Sequence, residues 1–151
     1  MYEYDENLNP PGYVSTYAIG GVWSCPWMLL NPGEDAVVYS PMATTLSFVG
    51  QVLPSFNRRV RTGLSIHSSA VPQAGNVSSA LRFPGMPPDG QGINTGDTVY
   101  KMKNTAAEYD SFTWNGTAWT PYEPVITVGE AFWSDKAQQT GFWKWVLWMW
   151  P

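Results

Sequence analysis

Hydrophobic and polar positions alternate in short runs along the chain, and Pro or Gly interrupts nearly every window long enough for a helix. Between the breaks lie β-branched and aromatic clusters, the pattern of many short strands joined by turns. It predicts strands over 13–18, 35–39, 44–49, 63–68, 98–103, 109–114, 130–133 and 142–150. Asn115-Gly116 predicts a type I′ hairpin turn, because both residues tolerate positive φ, and Asn31-Pro32-Gly33 and Pro88-Asp89-Gly90 predict further reversals. One helical turn is expected over 77–82, with Asn76 as its cap. The expected fold class is all-β, antiparallel and sandwich-like, with little or no helix.

Self-similarity adds an organisation to that pattern. A gap-free shift of 96 residues places Tyr4 on Tyr100, Tyr13 on Tyr109, Ser15 on Ser111 and Gly20 on Gly116. It also places Trp23 on Trp119, Gly33 on Gly129 and Glu34 on Glu130. These are 7 identities in the 31 positions from 4 to 34, concentrated on aromatic and turn residues. The expectation is a half-module over 1–52 and a complete module over 53–151, sharing one core, with the chain beginning in the middle of a unit.

Composition narrows the function classes. The 151 residues carry 23 Phe, Trp and Tyr against only 13% charged residues, so there is ample material for a core and little in common with disordered chains. The formal charge is −4, and the one basic cluster, Arg58, Arg59 and Arg61, is too short to track a phosphate backbone, so no nucleic-acid partner is expected. Cys25 is the single cysteine, which excludes an internal disulfide and a cysteine-based zinc site. The N-terminus lacks a basic start and apolar run, so no signal peptide is expected in this sequence, and no stretch reaches membrane-spanning length.

The order Gly63-Leu64-Ser65-Ile66, Val99-Tyr100-Lys101, Trp119 and Val128-Gly129-Glu130-Ala131-Phe132-Trp133 resembles a repeat module of large bacterial secreted and surface proteins. The upstream half resembles it through Tyr2-Glu3-Tyr4-Asp5, Gly21-Val22-Trp23, Leu30-Asn31-Pro32-Gly33-Glu34 and Thr45-Leu46-Ser47-Phe48-Val49-Gly50. The resemblance implies an extracellular or cell-surface, non-enzymatic β-domain and brings no catalytic residue with it. Asp35 departs from the small residue usual at its position, and the 142–150 segment is far more aromatic than the usual closing strand.

His67, the only histidine, alternates with Leu64 and Ile66 and is expected on the opposite, surface- or loop-facing side. Ser65, Ser68 and Ser69 lie beside it, but no nucleophile elbow is present, and no catalytic residue is assigned. Glu34 and Glu130 are a carboxylate pair that glycoside hydrolysis could use, yet each follows a turn glycine where it is expected to bind backbone N–H groups. Asp89, Asn94 and Asp97 are candidate calcium ligands in a glycine-rich loop, although glycine-rich turns need no metal, and no cofactor is expected. Asn76-Val77-Ser78 and Asn115-Gly116-Thr117 are formal glycosylation sequons.

The segment 142–150 is apolar on both strand faces beyond Lys144. It reads as a central strand, or as one partly covered by another chain through Trp143, Trp145, Trp148 and Trp150. The leading expectation is therefore a self-associating structural module, a homo-oligomer or filament. The alternative is carbohydrate binding, with Trp27, Tyr39, Trp114 and Tyr122 as stacking residues for a polysaccharide.

Overall fold

The computed structural model describes residues 1–5, 8–31, 33–43, 45, 53–84, 92–103, 108–138 and 141–146. Period-two runs become strands in chain order: β1 (Tyr2–Asp5), β2 (Gly12–Ser15), β3 (Ala18–Ile19), β4 (Val22–Trp23), β5 (Ala36–Val37), β6 (Ser55–Val60) and β7 (Gly63–Ser68). They continue as β8 (Gly75–Asn76), β9 (Thr98–Met102), β10 (Tyr109–Trp114), β11 (Trp119–Thr120), β12 (Val125–Ile126), β13 (Ala131–Lys136) and β14 (Gly141–Val146). The architecture is all-β, every strand pairing is antiparallel, and the described residues contain no helix.

The principal sheet runs β11-β10-β9-β13-β7. Alternation along its strands separates two faces. Val99, Phe112, Phe132 and His67 point inward, onto a layer made by the β14–β6 pair and the loop that follows β8. There the buried Trp143 meets Phe56, Phe83 and Phe132 edge-to-face, and its indole Nε1 donates 2.8 Å to the Leu81 carbonyl. Ile66, Tyr100 and Trp133 lie on the other face, where Trp133 packs under Tyr4 and Tyr13 from the small sheet β2-β1-β5.

Every buried hydrophobic residue among those described falls between Phe56 and Trp143. Among the described residues the principal core lies between Phe56 and Trp143, with an aromatic seam where the N-terminal sheet lies on Trp133. The expected helical turn over 77–82 is a run of turns. Asn76 C=O accepts from Ala80 and Leu81 N–H, and the N–H groups expected to be capped by Asn76 go to the distant Glu123. The Asn115-Gly116 hairpin closes Trp114 on Trp119 through a four-residue loop, not a two-residue type I′ turn. Asn115 Oδ1 accepts from Thr117 N–H, Thr117 hydroxyl and Ala118 N–H at 3.0 Å each, so its side chain closes the loop and only Gly116 takes positive φ.

The two small ladders correspond strand for strand. In β2-β1-β5, Tyr2 stands between Ser15 and Val37; in β10-β9-β13, Tyr100 stands between Ser111 and Trp133. The flanking partners are 96 residues apart and the central tyrosines 98, so the ladders equate Tyr2 with Tyr100 where the gap-free alignment equated Tyr4. A two-residue slip keeps the faces unchanged, because side chains alternate with period two.

Candidate functional site

The turns that carry the matched glutamates are built alike. Glu34 accepts from Asn31 N–H at 2.8 Å and from Asn31 Nδ2 at 2.8 Å; Glu130 accepts from Thr127 N–H at 2.8 Å and its hydroxyl at 2.9 Å. The turns close through Glu34 N–H to Asn31 C=O and Glu130 N–H to Thr127 C=O, with Gly33 and Gly129 at φ 86° and 75°. Both carboxylates are occupied in holding turns, the structural role expected of them.

Their neighbours differ in sign. Lys101 pairs with Glu130 at 3.1 Å. At the ladder position of Lys101 the N-terminal sheet has Glu3, hydrogen-bonded to Glu34. Burial first, then the Glu34 and Asp5 carboxylates, raise the Glu3 pKa. Next to it, burial pushes Asp35 up to about 7 despite a hydrogen bond from Ser68 and the nearby Arg58. Asp35 Oδ2 and Arg58 Nη1 are buried without partners, and Ser68 N–H donates 3.3 Å to the Gly33 carbonyl. This acidic seam is where the N-terminal half meets β6 and β7.

His67 is fully buried, contrary to the expected surface position. The cause is that β7 is covered on both faces. Strand parity turns Ser65 and His67 inward, and Ser65 hydroxyl supplies a 2.8 Å partner to Nε2 among Phe83, Phe132 and Trp143. Burial, then the Arg58 charge, holds the imidazole pKa well below its usual value, so it is neutral. Its Nδ1 has no partner and no acid orients it, while Ser65 is 1% exposed; this pair is a packed polar group and not an accessible nucleophile.

Asp97, a calcium candidate, is buried and committed. Its Oδ2 takes the Lys136 ammonium at 2.5 Å and Asn94 N–H at 2.8 Å, and Oδ1 takes Ala137 N–H at 3.0 Å. Lys136 also donates to the Gly92 carbonyl at 3.0 Å, so an ammonium holds the place a cation would take. Asn94 contributes its backbone, and Asp89 lies outside the described residues. Among the described residues no cluster of metal-ligating side chains occurs.

Among the self-association candidates, Trp143 is corrected. It is 1% exposed because β14 folds its Phe56-facing side onto the core. Trp145 is half-buried beneath the Arg82 guanidinium, 5.3 Å from the ring, and Trp148 and Trp150 lie outside the described residues. The sugar-stacking candidates are scattered. Trp27 and Tyr39 are each 75% exposed in the N-terminal half. Tyr122 backs onto Phe112, and Trp114 is half-buried against Trp119. No ring contact joins the four.

The structure assembles a different aromatic site. Between the N-terminal sheet and the outer face of the principal sheet lies a cleft of about 460 Å³ lined by Tyr4, Tyr13, Leu64, Tyr100, Tyr109, Trp133 and Asp135. Tyr4 meets Trp133 at 5.0 Å and Tyr13 at 5.4 Å, both edge-to-face. Burial, then Tyr109 and Tyr4, raise the Tyr13 phenol, keeping it protonated. The four tyrosines are the two pairs that the 96-residue shift superposes, and that coincidence was the available sequence signal for this site.

Comparisons of the chain with protein-family models, with curated proteins and with solved structures find no match. Among the described residues no helix is long and apolar enough to cross a membrane.

Proposed function

We propose that the chain is a non-catalytic, self-associating β-module of an extracellular assembly, in which the N-terminal half docks on the N-terminal half of a second copy. The reading treats β1–β5 as a shortened copy of the unit that β9–β13 complete. Support comes from the shared strand order, a register that matches after a two-residue slip, and the similar Glu34 and Glu130 turns. The extracellular setting rests on the resemblance to exported modules.

One observation carries it: matched positions are covered unequally. Trp119 is 6% exposed, its indole donating 3.1 Å to Ser78 under the turns that follow β8. Its counterpart Trp23 is 38% exposed, and around it Ile19, Val22, Trp27 and Leu29 are each more than 70% exposed. β13 carries β7 on its outer edge, whereas β5 carries no strand there among the described residues. Apolar surface left open beside an unpaired edge invites pairing. A second copy supplies the same edge and the same apolar chemistry, so antiparallel β5-to-β5 pairing about a two-fold axis satisfies both partners. The buried Trp143 plays no part in this contact.

Light scattering on chromatographed protein tests the reading with Ile19→Asp and Trp27→Ser. The expected result is a dimer or larger species that both substitutions shift to monomer. A wild-type monomer at every concentration, or association untouched by both, overturns it.

A further inference from the structure

We propose that the seam cleft is a binding site for an organic cation, recognised through its substituted ammonium group. The inference does not depend on self-association, because the cleft lies within one chain.

The lining dictates the ligand chemistry. Five electron-rich rings, Tyr4, Tyr13, Tyr100, Tyr109 and Trp133, come from both sheets, and no lysine or arginine lines the cleft. Ring faces carry negative potential and attract a cation within about 6 Å of the centroid, most strongly where water is excluded. Tyr13 and Tyr109 are 55% and 41% exposed, so their rings are reachable from solvent, while Trp133 forms a 7% exposed floor. At one side stands Asp135, whose carboxylate makes no hydrogen bond or ion pair among the described residues. Three other carboxylates are engaged: Asp97 by Lys136, Glu123 by Ser78 and Ser79, Glu130 by Thr127 and Lys101. Asp135 alone faces an aromatic cleft with its charge uncompensated, and the protein's net charge of −4 reinforces the attraction.

Size and polarity separate this ligand from a sugar. A pyranose presents hydroxyls around its rim and needs several placed hydrogen-bonding groups, whereas the cleft offers phenol tips and one carboxylate. A trimethylammonium group needs aromatic rings and one negative charge, and five rings and one carboxylate line the cleft.

Calorimetric titration with choline tests the proposal, run beside cellobiose as the sugar arm. Beads carrying immobilised phosphocholine distinguish a surface-borne headgroup from a free cation. Choline is expected to bind; Asp135→Asn should weaken it about tenfold, and Tyr109→Leu about fivefold, each fivefold to tenfold step corresponding to about 1–1.4 kcal/mol. Tyr109→Phe keeps the ring face and should keep binding, which a hydroxyl-dependent sugar site would not do. Both positions are solvent-accessible in part, and unchanged circular dichroism identifies folded variants. Cellobiose binding without choline binding, no binding of either, or choline binding indifferent to Asp135→Asn overturns the proposal.

Discussion

Trp23 and Trp119 occupy matching places in two ladders of one chain, yet one is an open ring and the other a core residue. The difference lies outside the ladders. The second unit has residues 53–84 to roof its sheet, placing Val60, Val77, Leu81 and Phe83 over Phe112, Phe132 and Trp119. The first unit has no such roof among the described residues. The hairpin pairings of Trp23 with Ala18 and Trp119 with Trp114 are alike, and burial, the dominant source of stability, differs. A sheet of three short strands with one face open is marginal by itself, so the first unit depends on the seam it forms with Trp133 and on what covers its other side.

Substitutions at matched positions can break that comparison. The largest effects are expected in the roofed unit. Trp119→Ala should cost about 3–5 kcal/mol in urea unfolding, and Trp23→Ala less than about 1 kcal/mol in the dissociated chain; equal costs would remove the distinction. Lys136→Ala leaves Asp97 buried without its counter-charge and should also cost about 3–5 kcal/mol. The N-terminal half has no such latch, since Ser40 stands at the position matched to Lys136.

The acidic seam should give the next effect, and its sign follows from the shifts. Asp35 and Glu3 both have raised pKa values when folded, so the unfolded chain loses their protons first as pH rises. Their contribution is fully present below about pH 4 and is lost as pH climbs through the Asp35 value of about 7. The slope from Asp35 is at most about 1.4 kcal/mol per pH unit. Asp35→Asn should flatten the pH dependence of N-terminal unfolding between pH 4 and 8, followed by the fluorescence of Trp27→Phe-subtracted samples; an unchanged slope would rule out this assignment.

Smaller effects sharpen the likeness between the units. Glu34→Gln and Glu130→Gln should each cost about 1 kcal/mol, because each removes the same charged acceptor from the same turn. Glu3→Lys, which recreates beside Glu34 the pairing of Lys101 with Glu130, should stabilise the first unit by a few tenths to about 1 kcal/mol at low salt. Destabilisation by Glu3→Lys would argue against the two-residue slip that equates these positions.

How far the sequence foretold this depends on the range of the forces involved. Strands 63–68 and 109–114 appear at their expected bounds, because strict alternation is a local signal. β6 was missed: Asn57-Arg58-Arg59 hides the strand, though Phe56 and Val60 are its buried side. At His67 alternation identifies the residues that share its face, but His67 is buried, because alternation does not say which face is covered. The Glu123 cap cannot be read locally at all. Burial alone would raise its pKa, yet hydrogen bonds from Ser78 and Ser79, 45 and 44 residues away, outweigh this and lower it. The cleft needs both sheets to meet; its trace in the chain is the two pairs of matched tyrosines.

Amide hydrogen exchange measured across a wide range of protein concentration addresses the unequal cover most directly. Ala36 and Val37 should gain protection as the protein is concentrated, together with Trp23, while β7 and β13 exchange at the same slow rate throughout. Protection of Ala36 and Val37 that is already high at the greatest dilution, or that never changes, would show that a second copy is not what shields this edge.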